Sequence, residues 1–178
     1  MDKKIFVGGF RFCLASLIVF ATVAFAERWM YVNLGLYGAY LVWTIMFIGL
    51  GGAALKPLTG ESISTKRFYA VFSIGFFLYA AGWMAVYFVM RDGLGEWVAS
   101  LLSSTMLGLT FAVGLKEWPQ ALRFCLILFI TNSVGYFLGD ALNDALGGKT
   151  GMLLWGASYG IFLGAGFGGI FYLSTPAK

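Results

Sequence analysis

The sequence predicts an all-α integral membrane protein of six transmembrane helices, built as three tandem helical hairpins in a pseudo-threefold bundle. Three observations carry that expectation. The 178 residues are 60% hydrophobic and only 11% charged, with mean hydropathy +0.85. A soluble domain carries about 25% charged residues, so there is too little polar surface here to coat a globule, and lipid must cover much of the outside. The apolar runs are continuous rather than alternating, which selects helices over barrel strands. Finally, Arg11-Phe12-Cys13-Leu14, Arg67-Phe68-Tyr69-Ala70 and Arg123-Phe124-Cys125-Leu126 recur at a spacing of 56 residues, and each opens a long apolar run.

Six segments reach the roughly 20 apolar residues that a spanning helix requires. They are 5–26, 29–55, 68–90, 97–115, 121–142 and 152–173. In the first, Lys3-Lys4, the apolar run and Ala24-Phe25-Ala26 imitate a cleavable signal peptide. The segment is long enough to span and carries the Arg-Phe signature, so it reads as a retained helix. Glu27-Arg28 reads as a tight turn into the second span. That span is the longest, and its length is absorbed by tilt or by a loose turn at Gly51-Gly52. Pro57 follows it. The third ends in Arg91–Glu96, which holds Gly93 and Gly95, and the fourth is short and precedes Pro119. The fifth meets Gly147-Gly148-Lys149, and Pro176 follows the sixth. Proline just beyond a helix end is a stop signal.

These elements group into repeats at 8–63, 64–119 and 120–176 of a single domain, 1–178. The even-numbered helices share glycine-rich second halves: Gly49-Leu50-Gly51, Gly108-Leu109-Thr110 and Gly164-Ala165-Gly166. Two spans per unit make every unit insert the same way up, a parallel repeat about an axis along the membrane normal. Orientation follows from the basic residues. With the N-terminus in the cytoplasm, Lys3, Lys4, Arg11, Lys56, Lys66, Arg67, Lys116, Arg123 and Lys178 fall inside, against Arg28, Arg91 and Lys149 outside. Both termini are therefore expected in the cytoplasm, in a multi-pass cell-membrane protein of the bacterial inner-membrane kind.

Composition also excludes chemistry. Histidine is absent, and Cys13 and Cys125 show no metal-ligand spacing, so neither a cofactor nor a metal is expected. No nucleophile–base pair and no phosphate-cradling glycine loop is present, so the chain is not expected to be an enzyme. Basic residues are scattered, without the stripe that nucleic-acid binding requires. The expected partners are the lipid bilayer, further copies of the chain or other membrane subunits.

The fifth helix has the one clearly polar face at depth. Asn132 and Ser133 fall mid-span, Tyr136, Asp140 and either Asn143 or Asp144 follow at three- or four-residue steps, and Asn132, Tyr136 and Asp140 stack along one side. Polar groups at membrane depth face the bundle interior or a wet cavity. These residues, with Asn33 as a partner from another hairpin, form the expected ligand or ion pathway; a simple hydrogen bond from Asn132 to a neighbouring helix is the alternative. Glu27, Asp92, Glu96, Asp140 and Asp144 give the outer side an acidic bias, suited to a cation mouth. Arg11, Arg67 and Arg123 are expected to hold lipid phosphates or, facing inward, an anion. Gly156, Gly160, Gly164 and Gly168, like Ser104 and Gly108, lie four apart on helix faces smooth enough for close packing.

The function expected is a small channel or transporter for an ion or small solute, with its polar site on the fifth helix. The alternative is a non-catalytic accessory or substrate-capturing subunit of a larger membrane complex. In size and six-helix layout the chain is similar to the substrate-capturing subunits of energy-coupling-factor importers. It lacks the AxxxA docking motif which that resemblance implies in the first helix.

Overall fold

A helix survives in lipid because it satisfies its own backbone hydrogen bonds, and in the computed structural model almost every described residue does so. Residues 2–60 and 63–174 are described, and no strand occurs among them. Pro176 and Lys178, assigned above to a helix stop and the cytoplasmic side, lie outside this set. The elements are α1 (Asp2–Met46), a π-helical turn (Phe47–Gly51), α2 (Gly52–Leu55), a 3₁₀ turn (Lys56–Thr59), α3 (Thr65–Met90), α4 (Gly93–Leu115), a 3₁₀ turn (Trp118–Gln120), α5 (Ala121–Leu146) and α6 (Gly148–Leu173). Five helical stretches are long and apolar enough to cross a membrane, and the first, Lys3–Thr59, has 57 residues.

That first stretch is bent back on itself. Glu27-Arg28 does not turn; the helix runs on and breaks at Gly35, with φ 68° and ψ 175°. Glu27, Arg28 and Trp29 are compatible with helix, whereas a glycine such as Gly35 tolerates a positive φ with extended ψ. The outgoing arm, 2–34, spans about 50 Å at 1.5 Å per residue. The return arm, 36–59, retraces it: Trp43 Nε1 donates to Thr22 Oγ1 at 3.1 Å, Phe47 stacks on Phe12 at 6.1 Å between ring centroids, and Gly51 lies against Phe12. The return arm therefore begins at 36 and not at 29. It loosens into the π turn that ends at Gly51 and continues as helix from Gly52, with Pro57 inside the 3₁₀ turn.

The six helical segments close into a ring. Gly51 and Gly52 set the return arm against Phe72 and Tyr69 of α3, Gly75 sets α3 against Leu107 of α4, and Gly108 sets α4 against Cys125 of α5. Gly135 and Gly139 bring α5 onto Tyr159 and Trp155 of α6. The α6 strip then closes the ring on the outgoing arm: a Cβ at Gly160 would stand 2.6 Å from Cys13 Cα, and one at Gly164 would stand 2.5 Å from the Gly8 carbonyl oxygen. Ser16 Oγ donates to the Gly156 carbonyl across the same seam, at 2.7 Å.

Burial follows the 56-residue spacing. Phe12, Phe68 and Phe124 are each 0% exposed, as are Ser16, Phe72 and Leu128, and Leu55, Phe111 and Phe167. The arginine before each of the first three faces outward. Gly52, Gly108 and Gly164, again 56 apart, are all buried, and each abuts the next odd-numbered span around the ring. At the end of the bundle holding the Arg-Phe pairs the interior is solid phenylalanine. Phe72 and Phe167 lie 5.6 Å apart, Phe111 and Phe167 5.4 Å, and Phe68 and Phe72 5.6 Å. Rings packed at these distances hold one another by close van der Waals contact.

Candidate functional site

The return arm and α3 diverge toward the opposite end. Near the plug they meet through Gly51 and Gly52. Further out they meet through rings, Phe47 on Phe76 at 5.4 Å and Tyr40 on Phe88 at 5.9 Å. Replacing glycine by aromatic side chains between two helices wedges them apart. The wedge encloses a cavity of about 330 Å³, within the range of small-ligand pockets. Thirteen of its twenty lining residues are aromatic, so a ligand there would meet aromatic rings on most sides.

The floor is polar at one point. Tyr159 Oη donates to Tyr79 Oη at 3.0 Å, Tyr79 Oη donates to Asn132 Oδ1 at 2.7 Å, and Asn132 Nδ2 donates to Ser100 Oγ at 2.8 Å. Ser100 and Ser133 share a further bond at 2.8 Å. This chain crosses from α6 through α3 and α5 to α4, and Tyr79 and Tyr159 present its end to the cavity. Asn132, Ser100 and Ser133 stand behind the wall rather than on it, and Asn132 is 0% exposed. Trp83 and Trp155 also line the cavity, and their buried indole N–H groups have no partner among the described residues.

Glu27 is the one residue on the wall that carries a formal charge at neutral pH. The outgoing arm carries it to the wide end, where the Tyr31 hydroxyl lies beside its carboxylate. Across the mouth, Tyr136 lines the cavity from α5 and stands beside Glu96. Asp140 and Asp144 lie close enough for their charges to act on Glu96. Asp92 instead caps α4, its Oδ1 accepting from Gly95 N at 2.6 Å.

The residues singled out from the sequence thus separate. Tyr136 is on the cavity, Asn132 and Ser133 are in the hydrogen-bonded chain behind it, and Asp140 and Asp144 are near its mouth. Asn33 joins none of them. It lies in the outgoing arm, exposed, with Nδ2 donating to the Trp29 carbonyl at 2.7 Å. Arg11, Arg67 and Arg123 are exposed at the far end and make no inward ring. Arg123 donates to Gln120 Oε1 at 3.1 Å. Ser104 and Gly108 lie on the α4 face turned inward, with Ser104 0% exposed, and Gly156, Gly160, Gly164 and Gly168 meet the outgoing arm.

Sequence reasoning did not single out the aromatic wall. The signal was present in α3, where Phe72, Phe76, Tyr79, Trp83 and Tyr87 recur at three- and four-residue steps along one face. No group of three or more His, Cys, Asp or Glu suited to a metal ion occurs among the described residues. Comparison with protein families, with curated proteins and with solved structures finds no match to this chain.

Proposed function

We propose that the chain is a six-span membrane protein of three hairpins, N- and C-termini inside, that takes a small solute or ion into the aromatic cavity from the outer face and moves it across the bilayer. The observation that carries this reading is the cavity itself: a partly open space among long apolar helices, backed by a hydrogen-bonded polar chain. The burial pattern at 56-residue spacing supports the three hairpins. The reversal at Gly35 supports counting Lys3–Thr59 as two crossings. The solid phenylalanine end makes the cavity blind, which favours a transporter resting with its outer side open over a continuously open channel.

The blind end equally favours a second reading, a subunit that captures the solute and hands it to a larger complex. One experiment separates them. Ala80 lines the cavity, and Ala80→Trp fills it. A panel of small solutes is screened for thermal stabilisation of the purified chain and for uptake into proteoliposomes. Transport requires uptake by the native chain and its loss in Ala80→Trp. Stabilisation without uptake supports capture. Uptake unaffected by Ala80→Trp, or a panel that neither stabilises nor crosses, contradicts the site.

A further inference from the structure

The cavity's wall chemistry names a ligand class, an inference that rests on the reading of the cavity as the solute site. We infer that it binds a small quaternary ammonium cation. The rings of Tyr40, Trp43, Tyr79, Trp83, Tyr136 and Tyr159 all contribute to the lining. Aromatic faces carry negative potential and attract a cation, most strongly when water is excluded. The single charge on the wall is the Glu27 carboxylate, and no basic side chain opposes it there. Glu96, Asp140 and Asp144 near Tyr136 add negative potential at the mouth, which would draw cations toward it.

Other cations fit worse. A metal ion gives up its hydration shell only for several oxygen ligands. This wall offers one carboxylate and scattered hydroxyls, and two of those, Tyr79 and Tyr159, are already bonded to each other. A primary ammonium needs up to three acceptors, which the ring faces do not replace. A quaternary ammonium has no N–H to satisfy and presents alkyl groups to every ring. An anion would meet the Glu27 carboxylate and no basic side chain on the wall.

The test uses choline and its uncharged isostere 3,3-dimethylbutan-1-ol, which have the same shape and differ in charge. Both are titrated into the detergent-purified full chain, reading the tryptophan fluorescence of the cavity. Choline is expected to bind at least about tenfold more tightly than the isostere, in keeping with a desolvated cation–π site. Glu27→Gln should weaken choline by about tenfold and leave the isostere unchanged. Glu27 is only partly buried, so this variant should fold; a melting profile like that of the native chain checks it. Equal binding of the two compounds, or choline binding indifferent to Glu27→Gln, overturns the cation assignment while leaving a cavity for neutral solutes. Binding of neither compound, with other solutes from the panel still stabilising the chain, overturns the cation assignment alone.

Discussion

Asn132 stands where the positions 56 and 112 residues earlier hold Phe76 and Phe20, which both line the cavity. Exchanging a ring for an amide requires partners, because Asn132 is fully buried and an unpaired buried amide is costly. Tyr79 and Ser100 provide them. Asn132→Leu leaves the Tyr79 hydroxyl without its acceptor and Ser100 without its donor. It should lower stability in detergent by about 1–2 kcal/mol, read as an earlier thermal transition, and an unchanged transition would contradict the network. Gly35 is the other singular residue. With φ 68° and open space where a Cβ would stand, Gly35→Ala is penalised by backbone torsion alone, about 1–3 kcal/mol. The polar spacing of Asn132, Tyr136 and Asp140 was visible in the sequence, but not the bonding partners of Asn132, which lie on other helices 32 and 53 residues away along the chain.

At the scale of elements, the apolar runs were long enough to announce helices, and α3 to α6 lie close to where those runs predict them. The first hairpin was misplaced because charge was taken to mark a turn. Glu27 and Arg28 are accommodated within a helix that runs on to Gly35, where the chain breaks. The four-residue glycine spacing of α6 was also visible, but not which helix it faces. In the structure that is the outgoing arm, the element most distant in sequence. Gly164→Leu would force a branched side chain against the Gly8 backbone, 2.5 Å from where the first added carbon would stand. Backbone cannot swing aside as a side chain can, so a loss of about 1–3 kcal/mol or more is expected, with a lower yield of folded protein. Gly49→Ala is the control: nothing lies within 4 Å of a Cβ there, so it should be neutral within about 0.5 kcal/mol.

Over the whole molecule, one end is packed solid with phenylalanine and the other opens into an aromatic cavity. Basic residues concentrate at the solid end and acidic residues around the open one. The ring of six helical segments closes only because residues 4–20 return against α6, a pairing no local pattern announces. In the proposed six-span arrangement, that polarity sets the cavity mouth on the outer face. Met84 lines the cavity, and Met84→Cys, in a background with Cys13 and Cys125 changed to serine, reports on access and orientation together. The decisive measurement is labelling of that thiol by a membrane-impermeant maleimide, applied from either side of sealed, oriented vesicles. The expected result is labelling from the outer side only, blocked when Ala80→Trp fills the cavity. Labelling from the cytoplasmic side, or from neither side while denatured protein labels fully, would contradict an outward-opening cavity.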